Sequence, residues 1–383
     1  MRPLTTLQLI PALDSGGAER CVVDVSRTVV QAGHRSIVAS AGGRFAERVL
    51  SDGGEHVQLA SGLKSPLVVA SLRPLRKLIR HSRVDVVDVH SRLPAWILRL
   101  VLKTLPAHQR PAWVATVHGL NSPGFYSRVM LRADVVVAVS ESVRGHLLRM
   151  APGMDQGHVR VIRRGVDAVE FPRGWRPTAV WRESFEQQFP ELRARQWLTL
   201  PGRLVRTKGH ADLLRLTCRL LQEGHPVHAL IVGDTAERAA WITELQQLAT
   251  SLGISDHVTF AGHRSDIRDV YAASAVVLTL SHKPESFGLA AAEALSLGVP
   301  VAGYAHGGTE ELFAACFPRG AVPPGDEAEL AAVVRRIMTR PPAVEGSSQL
   351  SRPFPFVGTR MAEQTLDVYR ELASNRRNTP GSR

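Results

Sequence analysis

Two carboxylates, a pair of cations and a diglycine stand out in this chain of 383 residues. Glu285 and Glu293 lie eight positions apart in PESFGLAAAEALSLGVPVAG, with Ser286, Phe287 and Gly288 directly after the first. The run AVVLTL ahead of them reads as a strand, which puts Glu285 in the loop at its carboxyl end. Glu293 then falls about one turn into a helix beginning near Gly288 and rich in small residues. The first carboxylate can face a cleft there, and the second can accept hydrogen bonds from the paired hydroxyls of a sugar. Taken singly, Glu285 reads as well as compensation for a helix dipole, and Glu293 as surface charge.

Arg203 and Lys208-Gly209 occupy LPGRLVRTKGH, again just after a strand-like run. A guanidinium fork and an ammonium five residues apart can both meet a diphosphate at the head of a helix. A solvated cationic loop accounts for them equally well. Gly16 and Gly17, in SGGAE between the first strand and its helix, let backbone N–H groups approach an anion, or simply make a tight turn. The G-x-G-x-x-G fingerprint of dinucleotide sites does not follow the first strand, which argues against a nicotinamide cofactor. The sequence has no Asp-x-Asp triplet either, so no metal is expected on the diphosphate.

The elements that must hold these residues read as alternating strands and helices. Apolar runs at 6–10, 36–40, 56–60, 84–90, 113–118, 134–140 and 159–162 are separated by amphipathic stretches. Runs such as VDVVDVH and ADVVVAVS are too apolar for a half-exposed strand and suit parallel strands covered on both faces. The rhythm restarts with QWLTLPG, VHALIVGD, HVTFAG, AVVLTL and PVAGY. Between the halves, VEFPRGWRPTAVWRE has the composition of a linker. The expected architecture is α/β, with two Rossmann-like βαβ domains and ligands bound beyond the carboxyl ends of the strands. Their expected limits are 1–172 and 173–356, followed by a C-terminal helix and frayed tail over 357–383.

Charge is uneven. Of 47 Lys+Arg and 35 Asp+Glu, residues 1–172 hold 23 and 13, and the remainder hold 24 and 22. A positive field on one half suits an anionic partner such as a membrane surface or a phosphorylated glycolipid. SLRPLRKLIRHSR concentrates it: Arg73, Arg76, Lys77, Arg80 and Arg83 accompany Leu72, Leu75, Leu78 and Ile79, which can form a separate face. Such a segment can lie on an anionic bilayer, or be a domain helix with a wetted polar side. Nucleic acid fits poorly, because few aromatics are interleaved with the cations. Three scattered cysteines, Cys21, Cys218 and Cys316, make neither a disulfide framework nor a Cys-rich zinc site. No run of about 18 apolar residues occurs. The start lacks a signal peptide's apolar core, so the expected location is cytoplasmic.

Together the motifs resemble the retaining GT-B glycosyltransferases of family 4. The resemblance runs from LIPALDSGGAER through ATVHG, ADVVVAVSESV, VIRRGVD and GRLVRTKG to PESFGLAAAEAL and AHGGTEEL. It implies two domains facing each other across a cleft and transfer of a sugar from a nucleotide-diphosphate donor. By the resemblance, Gly16 and Gly17 face the donor phosphates and the acceptor, and Arg203 and Lys208 clamp the diphosphate. Glu285, with Phe287 and Gly288, addresses the transferred sugar, and Glu293 the ribose. His118 contacts the donor sugar, and Gly307, Gly308 and Glu311 form another donor-side loop. The family's Asn-Gly-Val-Asp stands here as Arg164-Gly165-Val166-Asp167, which adds a positive charge. The Gly-Gly-x-Glu-Arg opening and the SAGGR loop resemble enzymes of the lipopolysaccharide core. They imply a glycolipid acceptor at the inner face of the cytoplasmic membrane. Other GT-B chemistry, a nucleotide-sugar epimerase or a soluble-acceptor synthase, is the alternative.

Overall fold

The computed structural model describes residues 2–14, 16–59, 70–234, 239–339 and 353–378. They form two compact units, 1–165 with 358–383, and 166–357.

The first unit is built on β1 (Thr5–Leu9), β2 (Arg35–Ser40), β3 (Glu55–Gln58), β4 (Val86–Val89), β5 (Ala112–Val117), β6 (Val135–Ala138) and β7 (Val159–Val161). All pairings are parallel, in the order β3-β2-β1-β4-β5-β6-β7. β1, β4, β5 and β6 are buried along their whole length, as their unbroken apolar runs require when helices cover both faces. The second unit repeats the plan with β8 (Gln196–Pro201), β9 (Val227–Val232), β10 (Val258–Phe260), β11 (Val276–Thr279), β12 (Val301–Tyr304) and β13 (Ala321–Val322). Its order is β10-β9-β8-β11-β12-β13, again parallel.

In both sheets the strand order reverses once, between β1 and β4 and between β8 and β11. At such a point the two neighbouring strands send their connections to opposite faces, and a crevice opens beyond their carboxyl ends. The diglycine follows β1 and the Arg203–Lys208 segment follows β8, while Glu285 lies beyond β11.

Two features differ from the sequence reading. The boundary falls after Gly165, not after residue 172, and the segment read as a linker is packed into the second unit. Phe171 is buried in that unit's core, and the indoles of Trp175 and Trp181 donate to Asp269 and Asp266, both at 2.8 Å. Thr178 caps the helix Ala179–Gln188. Pro and Gly signalled a turn here, but the aromatics had partners. The helix Gly358–Asn378, expected as a C-terminal helix outside both domains, returns to the first unit and packs on the helix Gly17–Gln31. Tyr369 is fully buried there and donates to Asp88 at 2.7 Å; of the end SNRRNTPGSR, expected to fray, residues 374–378 belong to this helix, and 379–383 lie outside the described residues.

The helix Leu72–His81 turns Leu75 and Ile79 into the first unit's core and exposes Arg73, Arg76, Lys77 and Arg80. Its apolar side is therefore occupied by the domain.

Tyr369→Phe removes one of the donors to the buried Asp88 carboxylate and leaves Thr116 as the other. The substitution is expected to destabilise the first unit by about 1–3 kcal/mol, read as a lower unfolding midpoint. An unchanged midpoint contradicts the role given to this bond.

Candidate functional site

In the second unit, three loops meet beyond β8, β11 and β12. After β8 the chain runs through Arg203 to the short turn Arg206–Lys208 and then Gly209. Gly209 has φ +76°, and a Cβ there would collide with the Leu280 carbonyl. Only glycine lets this turn lie so close to the segment after β11. The backbone N–H of His282 donates to the Thr207 carbonyl at 2.9 Å and fastens the two together. Lys208 is thereby brought to Glu285, and its ammonium is paired directly with that carboxylate, both side chains being half-buried.

The backbone around Glu285 is held by the third loop. Its N–H donates to the His306 carbonyl at 3.1 Å, and its own carbonyl accepts from Gly308 N–H at 2.7 Å. Side chains at Gly307 or Gly308 would strike the backbone of Glu285 and Ser286, which explains the diglycine of AHGGTEEL. Phe287 is buried, and Gly288 starts the helix Leu289–Leu297 at φ +88°. Glu293, on that helix, is 6% exposed and faces the Tyr271 hydroxyl at 3.4 Å. Arg203 is exposed. Thus Lys208 and Glu285 are joined, and Glu293 accepts from Tyr271.

In the first unit the Gly16–Gly17 turn enters the helix Gly17–Gln31. Arg164, only 7% exposed, lodges its guanidinium where a Cβ of Gly17 would be. It stands beside the positive end of a helix, an unfavourable place for a cation. Glu19 in the first turn attracts it, although burial raises the Glu19 carboxyl above its ordinary range. The SAGGR loop seals the other side: Leu13 N–H donates to Gly42 at 2.8 Å, and Gly43 lies against Leu13 and Asp14.

His118 stands just past β5, half-buried, 2.9 Å from the His90 ring just past β4. Burial first, then Arg164 and His90, hold His118 well below the usual imidazole range. His90 is lowered too, by burial and Arg164 against the pull of Asp88.

Sequence reasoning marked Arg164 as an added charge in its motif but gave it no place in this site, and it missed His90. The available signal was that VDVVDVH and WVATVH both end in histidine; what could not be read was that β4 and β5 pair side by side. It also missed Asp212, a buried carboxylate that accepts from the Tyr304 hydroxyl at 2.7 Å and lies 2.9 Å from His282. Asp212 so braces the strand and loop flanking Lys208.

Residues 15–170 match the family described as Glycosyltransferase Family 4, and residues 182–351 that described as Glycosyl transferases group 1. Both halves of the chain are glycosyltransferase domains. The alpha-maltose-1-phosphate synthase of Mycobacterium tuberculosis is 28% identical over 262 residues, 64% of this chain and 65% of that protein. The chain therefore spans somewhat under two thirds of that relative's length. A glycosyltransferase from Rickettsia africae ESF-5 superposes with a TM-score of 0.84 at 25% identity, covering 98% of this chain and 100% of that one. Anabaena HepE, solved with UDP-glucose, gives 0.74 at 21% identity, covering 98% and 100%. The two parallel sheets are those of the GT-B glycosyltransferases.

Two outcomes follow for the first unit. Gly17→Ala is expected to cost about 1–3 kcal/mol by overpacking against Arg164, and much less in an Arg164→Asn background, where the guanidinium is gone. Equal losses of unfolding midpoint in both backgrounds contradict the contact. A histidine with a lowered folded pKa stabilises the fold fully above about pH 6.5 and loses that contribution as pH falls through the folded value. Between pH 7 and pH 5 the unfolding midpoint of the native protein is therefore expected to drop more than that of His118→Gln. A parallel fall in both contradicts the assignment.

Proposed function

We propose that the chain transfers a glycosyl group, with retention, from a nucleotide-diphosphate sugar to the hydroxyl of a lipopolysaccharide-type or other envelope glycolipid. The observation that carries the reading is Lys208 joined to Glu285 on the loops that flank the order reversal of the second sheet. There, Lys208 and Arg203 meet the diphosphate, and Glu285 addresses the sugar with Phe287 and Gly288 shaping its loop. Glu293 takes the ribose hydroxyls. Gly16 and Gly17 face the phosphates and the acceptor, and His118 the donor sugar.

In the step proposed, the bond between the anomeric carbon and the β-phosphate oxygen breaks, and its electron pair stays on that oxygen. The acceptor oxygen approaches from the same face and bonds to the anomeric carbon, while its proton passes to the departing phosphate. The developing charge on the phosphate is stabilised by positioned cations. Arg203 and Lys208 supply that charge, in keeping with a sequence that has no Asp-x-Asp triplet.

The glycolipid reading rests on the cations of the helix Leu72–His81, each worth about 1 kcal/mol beside an anionic surface. Phe125, 77% exposed, and Tyr126 stand near Trp96 in the same domain, with Arg92 over the Tyr126 ring. Aromatics of this kind favour the interfacial region of a bilayer. A second reading, transfer to a small phosphorylated sugar, is favoured by the name of the mycobacterial relative. Both place an anion on the acceptor.

Lys208→Ala is expected to slow sugar transfer by about 10²–10³-fold, measured as turnover at saturating donor; near-native turnover removes the clamp. With vesicles, the protein should sediment with anionic but not neutral lipid at low salt, and Glu at 76, 77 and 80 should abolish this. No sedimentation, or equal sedimentation with both lipids, overturns the membrane reading and leaves the phosphorylated sugar to be tried as acceptor.

A further inference from the structure

The two histidines of the first domain belong to a longer chain of hydrogen bonds whose direction can be read from one end. Gln8 is fully buried in β1, and its amide Nε2 donates to the Val22 carbonyl at 3.0 Å. A carbonyl can only accept, so the amide's orientation is fixed and its Oε1 is left as an acceptor. His90 Nε2 lies 3.1 Å from that oxygen and must carry the proton. Asp88 Oδ2, 3.7 Å from the same nitrogen, favours the same arrangement. In a neutral His90 ring, Nδ1 then bears the lone pair. It lies 2.9 Å from His118 Nε2, which therefore donates to it. His118 Nδ1 ends the chain: it is covered by protein and has no hydrogen-bond partner among the described residues.

We infer that His90 is a positioning residue for the transfer: through Gln8 and Val22 it fixes His118 as the Nε2–H tautomer, so that Nδ1 is presented as an acceptor for a substrate hydroxyl. This rests on the proposed function for the identity of the substrate. The structural part, the tautomer, does not.

Burial and Arg164 favour neutral rings in the relay, against the pull of Asp88 on His90. The charged groups facing it are Arg164, which opposes protonation of both rings, and Asp88, which favours it at His90. The Asp88 carboxylate is already engaged by the Thr116 hydroxyl and by Tyr369 from the returning C-terminal helix. Burial adds to the effect of Arg164, and both rings are held neutral near pH 7. A covered acceptor left without a donor is unfavourable. A hydroxyl that parts the residues over Nδ1 and donates to it relieves this, and only in the complex. The substrate is thereby selected for a hydroxyl at one point, and a ring turned to the opposite tautomer would meet it with a second donor.

The test uses full-length protein labelled with ¹⁵N in histidine, and long-range ¹H–¹⁵N correlation, with His118 assigned by loss of its signals in His118→Gln. At pH 7 the native protein is expected to show His118 with a proton on Nε2 and none on Nδ1. His90→Leu should shift part of the population to the Nδ1–H tautomer. His90→Asn, whose Oδ1 can stand where Nδ1 stood, should restore the native pattern. In transfer assays, His90→Leu should lower kcat by about 100-fold, the usual effect of a misplaced group, with little change in the donor KM, and His90→Asn should recover most of it. An Nδ1–H or doubly protonated His118 in the native protein overturns the inference. So does an unaltered tautomer in His90→Leu, or equal loss of kcat in both variants. A native protein that transfers no sugar but shows the expected tautomer refutes the proposed function and leaves the relay standing.

Discussion

A parallel sheet can be covered on both faces only if its connections change side, and where they change side two neighbouring loops part. That constraint organises both halves of this molecule. The reversal between β8 and β11 sets side by side the loops that carry Lys208 and Glu285, 77 positions apart in sequence. Glycines then set the spacing: Gly209 lets the turn after β8 settle on the Leu280 carbonyl, and Gly307 and Gly308 let the last loop hold the backbone of Glu285. Without the reversal, the same side chains would be surface charges on separate loops.

The ion pair formed there is half-buried, and its two members have other uses in the proposed reaction. An ammonium paired with a carboxylate keeps its charge out of an apolar environment until a better anion arrives. A diphosphate carries more charge than one carboxylate and offers several acceptors to a short, multiply donating cation. The first domain solves the same problem differently. Its cation, Arg164, is lodged against the Gly16–Gly17 turn, with Glu19 nearby and two neutral histidines beyond it. The guanidinium makes Gly17 necessary and discourages protonation of the rings.

Much of this could be read from residue order alone. The unbroken apolar runs implied parallel strands covered on both faces, because a one-sided strand would alternate. The PESFG and RTKG segments stood out because each followed such a run, and the carboxyl ends of strands are where such sheets bind. What escaped were facts of adjacency. His90 and His118 end strands that pair only in the folded sheet, and nothing in their spacing announces it. The aromatics at 171, 175 and 181 sat among Pro and Gly and looked like a linker, yet each had a partner elsewhere in the second domain. The last helix returns to the first domain through apolar packing and through Tyr369 reaching Asp88, a contact across 281 positions.

The central claim is that the loops after β8 and β11 receive the diphosphate of a sugar nucleotide. It is tested most directly by thermal unfolding in a panel of nucleoside diphosphates, with the native protein beside Lys208→Ala. A diphosphate that binds the folded state at a hundred times its Kd adds about 2.7 kcal/mol of stability. The account predicts a clear rise in midpoint for at least one base in the native protein, greatly reduced in the variant. No rise with any base, or the same rise in both proteins, would contradict it.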